Sequence, residues 1–64
     1  MNLQQMRKYR GLSQEQLASK CYVVRQTIGN IEAGRMLPSL PLARQICKVL
    51  NCTWDIFFTE GDEK

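Results

Sequence analysis

The sequence contains no histidine, only six acidic residues in 64, and no apolar run long enough to cross a bilayer. Without histidine it lacks the side chain that most often serves as a general base or metal ligand near neutral pH. Three cysteines cannot pair fully within one chain. Cys21, Cys47 and Cys52, separated by 26 and 5 residues, also match no standard zinc pattern. They sit in or beside apolar runs and read as reduced, small apolar side chains, which suits a reducing cytosol. Internal repeats and low-complexity tracts are absent, and Met1 leads into a polar helical start, so no secretory leader is expected. A chain of this length buries only about 60% of the surface it exposes when unfolded. It therefore predicts one domain over residues 1–64 with no large pocket. No acid–base pair or nucleophile assembles from these residues, so no enzyme, metal site, cofactor or small-molecule substrate is expected.

Acids are scarcest where bases are densest. Through Asn51, eight basic residues (Arg7, Lys8, Arg10, Lys20, Arg25, Arg35, Arg44 and Lys48) face only Glu15 and Glu32, a balance of +6. The last thirteen residues carry Asp55, Glu60, Asp62 and Glu63 against Lys64, a balance of −3. A basic body with an acidic end points to a polyanionic partner, most commonly nucleic acid.

Helix signals fill the chain to about Phe58, and residues 59–64 read as a loose acidic tail. Asn2 can cap a first helix that turns Leu3 and Met6 inward and ends at Gly11. Ser13 and Gln16 have capping-box spacing, with Leu12 and Leu17 placed as a hydrophobic staple, so a second helix begins at Gln14. It buries Leu17, Ala18 and Cys21. After a break at Tyr22-Val23, a third helix is predicted over Arg25 to Ala33, closed by Gly34. At 100° per residue Val24, Ile28 and Ile31 share its inner face, while Arg25, Gln26, Gly29, Asn30 and Ala33 share the outer one. Pro38 and Ser39 introduce a fourth helix with an inward stripe of Leu42, Ile46 and Leu50, ended by Asn51. Thr53 then caps a short fifth helix beginning at Trp54.

A capped helix, a tight break and a second helix with a polar outer face make a helix-turn-helix at about residues 13–33. Such a helix fits the major groove of DNA. Gly29 costs about 1 kcal/mol relative to alanine in mid-helix. Close approach to another surface accounts for that cost, and drift at a tolerant site is the alternative.

The segments Leu12–Ala18, Arg25–Ile28, Ile31–Arg35 and Pro38–Leu40, followed by Leu42–Leu50 and Trp54–Phe57, resemble the Cro/C1-type (XRE) helix-turn-helix family over nearly the whole chain. The resemblance implies an all-α, five-helix domain like that of lambda repressor. It also implies binding of double-stranded DNA at an inverted-repeat operator as a homodimeric transcriptional regulator, most often a repressor, in keeping with the cytoplasmic placement expected from the cysteines and the absent leader. By the same resemblance Arg25, Gln26 and Asn30 read bases. Gln14, Thr27 and Arg35 contact the DNA backbone or brace the recognition helix, and Arg7 and Glu32 form a structural ion pair. Val24 replaces the usual Ser or Thr cap and is free to touch a thymine methyl. Tyr22 replaces a frequent glycine, and Met36 and Leu37 replace polar loop residues. At the C-terminal end, Trp54, Ile56 and Phe58 are the candidate dimer interface, although Trp54 and Phe57 also read as closing the core. An antitoxin-type protein-interaction module that autoregulates by binding DNA is the competing reading.

Overall fold

The computed structural model describes residues 2–57. Four α-helices, α1 (Leu3–Tyr9), α2 (Gln14–Lys20), α3 (Arg25–Glu32) and α4 (Leu40–Leu50), are followed by a 3-10 turn over Trp54–Phe57. All the regular structure among the described residues is helical, and no helix there is long and apolar enough to cross a membrane.

Helices this short are marginal in isolation, so their ends carry much of the local specification. Asn2 and Gln5 form a reciprocal box at the start of α1, and Ser13 and Gln16 do the same for α2. Ser39 caps α4, whose first turn contains Pro41. Only α3 lacks a side-chain cap among these four, because Val24 at its N-cap offers no acceptor.

At their C-terminal ends all four helices turn through a residue in the left-handed region: Gly11, Tyr22, Gly34 and Asn51. After α2, the amide of Tyr22 donates to Ser19 O at 3.2 Å and that of Val23 to Ala18 O at 3.0 Å. This pair of bonds is the Schellman motif. Glycine adopts such a φ freely, whereas Tyr22 holds φ +62° with a Cβ to accommodate.

Leu17, Ile28, Ile46 and Leu50 are completely buried and form the centre of the core, with Leu3, Ala18, Cys21, Ile31 and Ile56 around them. Each such Leu or Ile contributes about 1.5–3 kcal/mol through removal from water. Buried Ala18 belongs to the same core, and α2 packs most extensively against α3.

Several details differ from the sequence-based expectation. Helix α3 ends at Glu32, with Ala33 as its C-cap, and the fifth helix is a single 3-10 turn. Val24, placed by helical phase beside Ile28 and Ile31, is 67% exposed, because its backbone is extended and the helical phase starts one residue later. Ile56, expected at a dimer interface, is 4% exposed and belongs to the core of the single chain, so almost none of its surface is free for a second copy. Trp54 is 40% exposed and Phe57 half-buried, so core closure at this end falls mainly to Ile56. The Thr53 hydroxyl, expected as a cap acceptor, donates to the Asp55 carboxylate. Phe58 and the acidic tail lie outside the described residues.

Candidate nucleic-acid interface

The outer surface of α3 is assembled from both helices of the α2–α3 pair. Arg25 and Gln26 occupy its first turn and are exposed, and Thr27, Gly29 and Asn30 are partly covered. A chain of hydrogen bonds runs from the core to this surface. Arg7 in α1, 7% exposed, donates through Nε to Glu32 Oε2 at 2.6 Å and through Nη2 to Oε1 at 3.3 Å. Its Nη1 donates to Leu12 O at 2.7 Å. The bidentate geometry suits the planar guanidinium, and the pair leaves no net charge in the core.

Glu32 Oε1 accepts a further bond, from Gln14 Nε2 at 2.9 Å, and Gln14 Oε1 accepts from Arg25 Nη1 at 3.2 Å. Gln14 therefore spans the space between the end of α3 and its beginning. Arg7, Glu32, Gln14 and Arg25, scattered over 26 residues of chain, meet in one network. Gln26 has no side-chain partner among the described residues.

A second contact forms at the other end of α3. The left-handed turn at Gly34 folds the chain back, so that the amide of Arg35 donates to Asn30 O at 2.9 Å. The Arg35 guanidinium then lies against Asn30, with Nη1 donating to Oδ1 at 3.2 Å. A Cβ at Gly29 would sit 3.8 Å from Gln14 Nε2 and 3.9 Å from Oε1, ordinary van der Waals separations. Internal packing thus does not require a glycine at this position.

Seven of the eight basic residues through Asn51 are exposed, Arg7 being the exception. Sequence reading missed the role of Arg10, which donates to Leu50 O at 2.7 Å and Asn51 O at 3.2 Å and so satisfies carbonyls at the end of α4. Only the tertiary fold brings these residues together across 40 positions. Away from α3, Leu37, Pro38, Leu40, Ala43, Trp54 and Phe57 line an apolar groove of about 170 Å³. Burial pushes the Cys21 and Cys47 thiols up, and burial together with the neighbouring Cys47 pushes Cys52 up to about 11. All three therefore stay protonated near neutral pH, where thiols are poor nucleophiles and ligands.

The order of helices, the α2–α3 turn and the polar outer face define a helix-turn-helix domain. A helix-turn-helix family model matches residues 3–57, and the chain belongs to the Cro/C1-type family of DNA-binding domains. It is 47% identical over 62 residues to an uncharacterized HTH-type transcriptional regulator of Methanocaldococcus jannaschii, covering 95% of this chain and 94% of that one. A protein of the same description from Methanothermobacter thermautotrophicus is 44% identical over 62 residues (94% and 90%). One from Bacillus subtilis is 41% identical over 61 residues (94% and 92%).

Proposed function

We propose that this chain binds double-stranded DNA sequence-specifically as a cytoplasmic homodimer and represses transcription at an inverted-repeat operator. The observation that carries the reading is the first turn of α3, where Arg25 and Gln26 are exposed while Gln14 holds Arg25 from the neighbouring helix. With α3 in the major groove, Arg25 bonds guanine O6 and N7, and Gln26 and Asn30 reach neighbouring bases. Val24 stands where a thymine methyl can pack, and Gln14, Thr27 and Arg35 face the sugar–phosphate backbone. Repression needs no catalytic group, since an occupied operator excludes polymerase by its presence.

One copy of α3 reads only a few base pairs, too few for useful specificity, so a second copy is required. A two-fold arrangement places the half-sites about 34 Å apart on one face of the duplex. With Ile56 in the core, the surface left for the partner among the described residues is Trp54 together with exposed Leu37 and Leu40, and Phe58 joins it from beyond them as a proposed contact.

Random-site selection from a duplex library tests the whole reading, with an enriched inverted repeat as the expected outcome. On the selected site, Arg25→Ala is expected to cost about 1–3 kcal/mol, mostly as lost discrimination at one base pair per half-site. Unchanged binding removes Arg25 from the base-reading set. Light scattering of Leu40→Glu is expected to report a monomer where the unaltered chain is a dimer. A chain that is monomeric before substitution assigns the apolar groove to a different protein partner.

A further inference from the structure

We infer that Arg35 is a specificity-positioning residue: through its bond to Asn30 it fixes which edge of the Asn30 carboxamide meets a base. The inference rests on the DNA-reading role of α3 proposed above and deepens it.

The Schellman closure at Gly34 makes the geometry. In that motif the residue after the left-handed position bonds back to a carbonyl near the helix end, here Arg35 N to Asn30 O at 2.9 Å. The backbone of Arg35 is thereby held beside Asn30, and its Nη1 lies 3.2 Å from Asn30 Oδ1. A guanidinium carries only donors, so the carboxamide atom facing it must be the oxygen. The Nδ2 group, with two N–H donors, is the end left to face outward.

This orientation has a consequence for recognition. An asparagine that reads adenine bidentately must accept from N6 with its oxygen while donating to N7 with its nitrogen. With Oδ1 turned to Arg35 and one of its two lone pairs engaged there, Asn30 presents its N–H donors outward in preference to its acceptor. It then favours an acceptor-only edge, guanine O6 and N7 or thymine O4, over adenine or cytosine with their amino groups. Arg35 thus affects base choice without touching a base, while its remaining N–H groups stay available to a phosphate. A residue acting only as a phosphate clamp would weaken all sequences alike.

Selection from a randomised duplex library separates the two roles, run in parallel on the unaltered chain and on Asn30→Ala, Arg35→Ala and Arg35→Gln. Asn30→Ala identifies the base pair that Asn30 reads, expected to hold guanine or thymine at the contacted base. Arg35→Ala is expected to flatten preference at that same pair, from roughly five-fold or more to under about two-fold, and to leave the Arg25 pair unchanged. Arg35→Gln keeps an N–H donor for Oδ1 but removes the charge. It is expected to restore much of the preference while still lowering overall affinity and the salt slope by about one unit. If Arg35→Ala and Arg35→Gln lower affinity equally and leave every base preference intact, the positioning role is refuted and the base-reading role of α3 stands. Adenine at the Asn30 pair also refutes it. If the unaltered chain enriches no motif, base reading by α3 is itself overturned.

Discussion

Replacing Glu32 with alanine is expected to unfold much of the population, although the residue lies at the end of a surface helix. Its side chain is 4% exposed and accepts from Arg7 twice and from Gln14 once. The substitution would leave the Arg7 guanidinium buried with Leu12 O as its only remaining acceptor among these contacts. Removing one member of a buried pair typically costs about 3–5 kcal/mol, because the surviving charge stays desolvated. A domain of this size has about 3–10 kcal/mol of stability in all. The loss corresponds to a fall in Tm of roughly 12–40 °C at about 4–8 °C per kcal/mol. Urea titration followed by circular dichroism and Trp54 fluorescence measures it. The double replacement Arg7→Met with Glu32→Leu removes both charges and is expected to recover most of the stability. It still denies Gln14 its Glu32 acceptor, so DNA affinity is expected to remain reduced while the fold is regained. A loss below about 1 kcal/mol for Glu32→Ala, the value of an exposed pair, would refute the reasoning. So would a double replacement whose damage equals the sum of the two single ones.

Tyr22→Gly is expected to raise stability by about 1 kcal/mol in the same titration, by relieving the left-handed φ of a residue 88% exposed and so losing little packing. A destabilised variant would mean that the Tyr22 ring contributes more than its backbone costs. Gly29→Ala is expected to stabilise by up to about 1 kcal/mol, since its Cβ meets only ordinary contacts. The same variant is expected to bind the selected DNA site more weakly, and unchanged affinity would show that no surface presses on Gly29. Cys52, held at about 11 in the folded chain against an ordinary 9.0, keeps its proton where the unfolded chain loses it. Stability is therefore expected to fall as pH rises from 9 to 11. Urea midpoints across that interval should decline less steeply in Cys52→Ala, and equal slopes would dismiss the assignment.

Helix starts were legible because capping is local chemistry. Ser13 and Gln16 stand three residues apart, and the box they form needs nothing from the rest of the chain. Buried stripes were legible for the same reason in α4, where Leu42, Ala43, Ile46, Cys47 and Leu50 keep helical phase and all turn inward. Phase failed at Val24, which the periodicity counted in and the extended backbone turned out. It gave no guidance at Ile56, because a single 3-10 turn has too few residues to show a period. Long-range partners were the least readable part of the candidate site. Nothing near Arg10 indicates carbonyls 40 positions away, and nothing near Asn30 indicates that the chain doubles back to set Arg35 upon it.

Arg7 sits where three segments of the domain meet. Its guanidinium joins α1, the segment entering α2 and the end of α3, and none of these helices exceeds eight residues. Helices so short do not persist in water alone, so shedding α1 takes from the α2–α3 pair the Arg7 guanidinium that neutralises Glu32 and bonds Leu12 O. The polar face of α3 and the apolar core beneath it therefore appear and disappear as one cooperative unit. Any ligand held on that face then stabilises the whole domain, not only the helix it touches.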